Sequence, residues 1–240
     1  MTHDTPPYIR KIEEIGPFTV WEVSGAYIRQ NLSEEFTNFG QHYAYKFIPK
    51  REFWIDKEHA AGEEHFFVDH LLTEFKLMDQ GEDYNHAHTK AIQVESRERH
   101  KSDLFRKGLK NDSLQTLIDK IHKEKLVTYS SEAVSVWVIN GEIVRDRFFV
   151  DFTEGGHDYV YNFVPTGEVW LDDDLGQNED RRFVLLHELH ERALMATKGY
   201  PYLSAHHSAI ILEHKCRNHP KMLESCLKEA LEQNKEIAVK

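Results

Sequence analysis

A chain of 240 residues with 40% hydrophobic and 12% aromatic residues carries enough apolar side chain to build cores, which excludes a disordered chain. Its formal net charge of −11 argues against a broad surface for nucleic acid or anionic lipid. The one short basic stretch, Lys120 to Lys125, is interrupted by Glu124.

In chain order, the first half reads as short strands over 18–23, 26–30, 42–48 and 52–55. β-branched and aromatic residues cluster there between turn residues. Helical spacing then takes over near 63–78, 84–101 and 113–125. The same order returns in the second half. A β-rich run over 134–139 meets Asn140-Gly141, a hairpin signal, and a returning strand over 142–147. Gly155-Gly156 marks another turn, and the segment 159–164 places Tyr159, Tyr161 and Phe163 on one strand face before Pro165-Thr166-Gly167 closes it. A fourth strand begins over 168–171, and from Asn178 the period is helical. Phe183, Leu186, Leu189, Ala193 and Leu194 form a stripe through a helix that stops near Lys198-Gly199. A second helix runs over 202–217, and a third follows Pro220.

The two halves are alike residue by residue. At an offset of 116, Val20, Trp21, Gly25, Arg29 and Phe36 fall on Val136, Trp137, Gly141, Arg145 and Phe152, and Gly40, Tyr43, Tyr45, Trp54 and Asp56 on Gly156, Tyr159, Tyr161, Trp170 and Asp172. Single-residue slips move the offset to 117 and 118, where the helices match as well. The expected fold class is α+β: two tandem homologous units, 1–125 and 126–240, each a small antiparallel β-sheet followed by about three helices.

Glycines, aromatics and aliphatics recur for packing alone. His70/His187, Glu74/Glu191, His88/His206 and Glu95/Glu213 also recur, and burying imidazoles and carboxylates costs several kcal/mol unless they are paired or bind metal. His187 and Glu191 are four apart, on one helix face, and His206 and Glu213 are seven apart, two turns along the next helix. Antiparallel packing of the two helices brings two nitrogens and two carboxylates to a common point, a donor set that suits zinc, with Mn, Fe, Ni or Co as alternatives. The segment His187 to Glu191 reads HELHE, an HExxE variant of the zinc-protease HExxH helix in which Glu188 keeps the position of the general base. His190 is one position too early to replace the second histidine. The first half reads HLLTE from His70 to Glu74, with Leu71 where Glu188 stands. The four candidate ligands His70, Glu74, His88 and Glu95 thus survive there without the base. Arg29/Arg145 and Asp56/Asp172 read as strand-end salt bridges, the Tyr43/Tyr45 and Tyr159/Tyr161 pairs as core or sheet-face aromatics, and His86, His207 and His214 as surface residues.

Two readings follow. One is a zinc-dependent hydrolase, peptidase-like, with a peptide or protein substrate, its active site in the second unit and the first unit degenerate. The other is a non-catalytic duplicated binding or scaffold module held by structural metal or His–Glu hydrogen bonds. The stretch from Trp170 through Phe183-Val-Leu-Leu-His-Glu-Leu-His-Glu191 to Tyr202-x-x-Ala205-His206-x-x-Ala209-x-x-x-Glu213 resembles a family of small, uncharacterised phage and bacterial proteins regarded as metallopeptidase-like, in which an HExxE helix precedes a YxxAHxxAxxxE helix. The resemblance covers this part of the second half and, without the base, the matching part of the first. It implies His187, Glu191, His206 and Glu213 as site residues and Glu188 as the base.

A cytoplasmic location without a membrane partner is expected. No apolar run approaches the ~18–20 residues of a span, and MTHDTPPYIR lacks the order of a secretory signal. Cys216 and Cys226, ten apart in a late helical stretch, are too far apart on one helix to pair, which fits a reducing compartment.

Overall fold

The structure is a computed structural model that describes residues 5–59, 61–102, 112–176 and 179–237. Its first elements are β1 (Tyr8–Ile15), β2 (Phe18–Val23), α1 (Gly25–Asn31), β3 (Phe39–Gln41), β4 (Glu52–Asp56), α2 (Glu64–Asp79) and α3 (Tyr84–Lys101). There follow α4 (Leu114–Ile121), β5 (His122–Lys125), β6 (Ser135–Ile139), α5 (Gly141–Arg147), β7 (Gly155–His157) and β8 (Glu168–Asp172). The last three are α6 (Glu179–Lys198), α7 (Tyr202–Asn218) and α8 (Leu223–Lys235). The expected helical onset at Asn178 lies outside the described residues.

The chain divides into two compact units, and the division is not a single cut. Unit 1 comprises Met1–Leu114 with Glu142–Asp151, and unit 2 comprises Gln115–Gly141 with Phe152–Lys240. Each contains one four-stranded sheet, in the orders β1-β2-β4-β3 and β5-β6-β8-β7. The sheets are mixed, not antiparallel as expected: β2 pairs with β4, and β6 with β8, in parallel. The outer pairs are antiparallel.

That parallel pair explains the first misreading. Parallel neighbours need a crossover connection, which a two-residue hairpin cannot supply. The segments expected to return as strands, 26–30 and 142–147, are instead the helices α1 and α5. At the start of α1 the Asp56 carboxylate accepts from Gly25 N–H at 2.9 Å and from Arg29 Nη1 at 3.0 Å. A Cβ on Gly25 would lie 1.6 Å from Asp56 Oδ2, and one on Gly141 would lie 2.0 Å from Asp172 Oδ2. Glycine recurs here because a carboxylate occupies the space of its side chain, not because a hairpin turns. Arg29 and Asp56 form a buried ion pair, as expected, and Arg145 holds Glu63 through Nε and Nη2, at 2.9 and 2.7 Å, within unit 1.

The aromatic runs 42–48 and 159–164 are turns rather than strands. Gln41 C=O accepts from Tyr45 N–H at 2.9 Å, and Tyr45 C=O from Ile48 N–H at 3.0 Å. The Tyr45 ring lies where a Cβ on Gly40 would come within 2.7 Å of it. The alternation belongs to a loop folded flat on its own glycine. Residues 122–125, expected to end a helix, form the edge strand β5. The sequence His-Lys-Glu-Lys lacks a strand pattern because three of its four residues face solvent, and such charge protects an open edge. Cys216 and Cys226 lie on different helices, α7 and α8, and are both free thiols; burial, then the neighbouring Cys226, pushes the Cys216 thiol up to about 12.

Each core lies between the sheet and its first long helix. In unit 1, Val20, Phe53 and Ile55 pack against Phe67, Val68, Leu71 and Phe75 of α2. In unit 2, Val136, Val169 and Leu171 pack with Val184, Leu185 and Leu189 of α6. The polar residues of α2 and α6 are thereby turned toward the next helix. Replacing Gly25 with Ala should lower unfolding free energy by about 1–3 kcal/mol, the usual cost of forcing atoms into filled space, as read by denaturant titration.

Candidate metal centres

In unit 2, α6 contributes His187, Glu188 and Glu191, and α7 contributes His206 and Glu213. His187 Nε2 lies 3.0 Å from His206 Nδ1 and 3.6 Å from Glu191 Oε2, and that oxygen lies 2.8 Å from His206 Nδ1. Three ligands on a tetrahedral zinc at ~2.0–2.1 Å would be roughly 3.3 Å apart. The three separations, two of them at hydrogen-bond length, fall on either side of that spacing. Glu213 is not at the common point. Its Oε2 is 2.9 Å from His187 Nδ1, the far nitrogen of the ring, so it stands behind the imidazole as the carboxylate partner that metal-binding histidines usually have.

The hydrogen bonds around the triangle fix the protons. Asp180, in the first turn of α6, accepts from Arg217 Nη1, and Arg217 Nε donates to Glu213 Oε1 at 2.8 Å. With Glu213 an acceptor, His187 Nδ1 carries a proton, and Nε2 is the nitrogen turned to the triangle. On the other side, His157 of β7 faces Glu191 Oε1 through Nε2 at 3.0 Å, while its Nδ1 accepts from Tyr159 N–H at 3.2 Å. A neutral imidazole that accepts at Nδ1 must donate at Nε2. His157, Glu188 and Glu191 also bring donor atoms within 4.8 Å of one another, but this tautomer makes His157 a donor to Glu191 and not a ligand.

Unit 1 confirms that assignment with different atoms. Gln41 stands at the position of His157: its Nε2 donates to Glu74 Oε1 at 2.6 Å and its Oε1 accepts from Tyr43 N–H at 2.7 Å. The rest of the network repeats. Arg99 joins Glu63, at 2.7 Å, to Glu95 Oε1, at 2.9 Å. Glu95 Oε2 is 2.8 Å from His70 Nδ1, and Glu74 Oε2 is 3.0 Å from His88 Nδ1 and 3.7 Å from His70 Nε2. The segment 142–151 adds Asp146 beside Arg99 and Asp151 beside His88. His86, His207 and His214 are exposed, as expected.

Both triangles need positive charge. Burial alone would depress His187, but its hydrogen bonds to Glu191 and Glu213 and the surrounding carboxylate charge outweigh that and push it up to about 10. Glu191 is held well below the ordinary carboxylate range despite burial, by His157, His187 and His206. Removal from water, followed by the charge of Glu191, pushes Glu188 up to about 8, with His187 acting in the opposite sense. Burial keeps His157 below its usual value, and so neutral. A proton on the histidines and a cation in the triangle answer the same electrostatic demand.

Comparison of the sequences did not reveal Gln41/His157 or Glu63/Asp180, because these pairs keep a role and not an identity. Arg99/Arg217 was in the repeat, but nothing in the spacing assigned it a partner. Comparisons with protein families, curated proteins and solved structures find no match to this chain, so the site is read from its own geometry. No helix among the described residues is long and apolar enough to cross a membrane.

His157→Gln should be nearly silent in thermal unfolding, since Gln41 already performs the same two hydrogen bonds. His157→Leu should cost about 2 kcal/mol or more, because it leaves both Glu191 Oε1 and Tyr159 N–H without their partner. Equal losses in the two variants would mean that the imidazole itself is required.

Proposed function

We propose that unit 2 is a metal-dependent hydrolase of the peptidase type, with zinc as its ion, and that the two units descend from one duplicated ancestor. The observation that carries this reading is a paired replacement. In unit 2, β7 passes Glu188 with Gly155, where an added Cβ would lie 3.1 Å from Glu188 Cγ. In unit 1 the matching positions are Phe39 and Leu71, and both pack into the apolar core. The donor triangle and its supports are otherwise kept. A network needed only to join two helices gives no reason to clear space for one carboxylate beside the histidines.

The residues present fit a zinc-type ion: two nitrogens and one oxygen close to tetrahedral spacing, with His187 Nε2 turned to the triangle. Bound there, the ion supplies Lewis acidity to a water and to the scissile carbonyl. Glu188 takes the proton from that water and delivers it to the leaving amine, work that suits a carboxyl whose affinity for protons lies near neutrality. Glu213 holds the His187 ring, and His157 holds Glu191 by one oxygen so that the other faces the triangle. His206 is 37% exposed at its side chain, which marks the open side. Tyr200, Tyr202 and Leu203 are exposed there, with Tyr202 stacked on His206 at 5.2 Å. They offer apolar surface to a substrate side chain.

The test is Glu188→Gln in protein purified without a histidine tag and reconstituted with zinc. Zinc content should stay at the wild-type level while cleavage of a peptide library, read by mass spectrometry, falls by about 10²–10⁴-fold. Loss of the zinc would make Glu188 a ligand. Unchanged cleavage, or no zinc in the wild type, would overturn the hydrolase reading.

A further inference from the structure

Unit 1 keeps the triangle but not the base, and its details differ from those of unit 2 in a consistent direction. His70 is 1% exposed, and its Nε2 is buried with no hydrogen-bond partner. Its other nitrogen, Nδ1, is taken by Glu95 at 2.8 Å, so Nε2 is the atom left without a partner. It is aimed at the gap it shares with Glu74 Oε2, 3.7 Å away. A buried polar atom in this state costs about 1–3 kcal/mol. Nothing on the surrounding apolar side chains repairs it: Phe39 lies against the ring at 5.0 Å between centroids, and Leu71 is 1% exposed.

The second imidazole is prepared in the same way. His88 Nε2 is 3.3 Å from Asp151 Oδ2, and its Nδ1, 3.0 Å from Glu74 Oε2, is the nitrogen turned inward. Two ring nitrogens and one carboxylate oxygen therefore converge, where a metal ion would take the place of the protons. We propose that unit 1 holds a second divalent metal ion of the zinc class on His70 Nε2, Glu74 Oε2 and His88 Nδ1, that it takes no part in hydrolysis, and that it leaves the protein more slowly than the ion of unit 2.

The slower release follows from the supports. Carboxylates behind ligating histidines orient the ring and raise its basicity. In unit 1 both histidines have one, Glu95 and Asp151. In unit 2 only His187 has one, Glu213, and no hydrogen bond reaches His206 Nε2 among the described residues. The His88 side chain is 22% exposed against 37% for His206, so water and chelators reach it less. Hydrolysis is absent because Leu71 offers no proton acceptor where Glu188 stands. This inference does not depend on the chemistry assigned to unit 2.

The experiment uses the full chain, purified without a histidine tag, loaded with zinc and freed of excess. Zinc is counted by mass spectrometry, and its release to excess EDTA is followed in time. Wild type should carry two equivalents and release them in a fast and a slow phase. His206→Ala should abolish the fast phase and keep one equivalent, and His88→Ala should abolish the slow one. Asp151→Asn, at a half-exposed position, should speed the slow phase about ten-fold, in line with the loss of an outer hydrogen-bond partner. A wild type with one equivalent that His206→Ala removes would overturn this proposal and leave the unit 2 reading standing. A slow phase abolished by His206→Ala would overturn the order of release. No zinc in any form of the protein would sink both readings.

Discussion

Everything in the two centres depends on one electrostatic constraint: more carboxylate is buried between the paired helices than the fixed cations can neutralise. In unit 2, Glu191 and Glu213 lie 2% and 5% exposed, with Glu188 next to them. Arg217 is committed to Asp180 and Glu213. What remains is negative charge facing two imidazoles. Buried carboxylates of this kind are tolerable only when a positive charge is returned to them. The helices supply histidines for this purpose, and histidines accept either a proton or a metal ion in the same place. The raised proton affinity of His187 and the close spacing of the donors are therefore two descriptions of one demand.

The same constraint orders the surroundings. A centre that must hold charge also needs side chains that cannot swing away, and Glu74, Glu191, His70 and His187 are each held from behind by a hydrogen-bonded group. The sequence of supports begins at backbone N–H groups, Tyr43 and Tyr159, whose donor role cannot change. It passes through Gln41 or His157 to the outer oxygen of the glutamate, and on the other side from Arg99 or Arg217 through Glu95 or Glu213 to the histidine. That a glutamine and a histidine serve interchangeably between the same two neighbours shows what is required there: one acceptor and one donor at the right separation, and neither charge nor a second lone pair.

Much of this was legible in the sequence, and what was not has physical causes. The helices α2 and α6, with long apolar stripes, and α3 and α7, with small and charged residues recurring on one buried face, were readable because burial of one face imposes the helical period. The sheets were misread where the signal was local. Asn140-Gly141 has the composition of a hairpin, but Gly141 is small because Asp172 needs its space, and no local pattern carries that information. The aromatics of 42–48 alternate as in a strand because they pack on Phe36 and Gly40 in a turn. The edge strands β1 and β5 were missed because edges are protected by charge. In the site, the two histidines and Glu191 were visible as recurring residues. Glu213 recurs equally well, and only the fold shows that it faces the wrong nitrogen of His187 to share the triangle.

The difference between the units is better explained by packing than by drift. Had Leu71 replaced a glutamate in isolation, it would face the space that Gly155 leaves open in unit 2, and a cavity of that kind costs stability. Phe39 fills it. Had a glutamate appeared opposite Phe39, the carboxylate would have had no room and no water. Each state is consistent only as a pair, a polar side chain with a glycine or an apolar one with a phenylalanine. The carboxylate behind the first histidine, Glu95 or Glu213, needs no such compensation and stands in both units. One half of the chain thus carries the charge-holding device beside apolar side chains, and the other carries it beside a carboxylate packed against a glycine. The room that Gly155 leaves is taken up by the Glu188 side chain, which a larger residue on β7 would exclude.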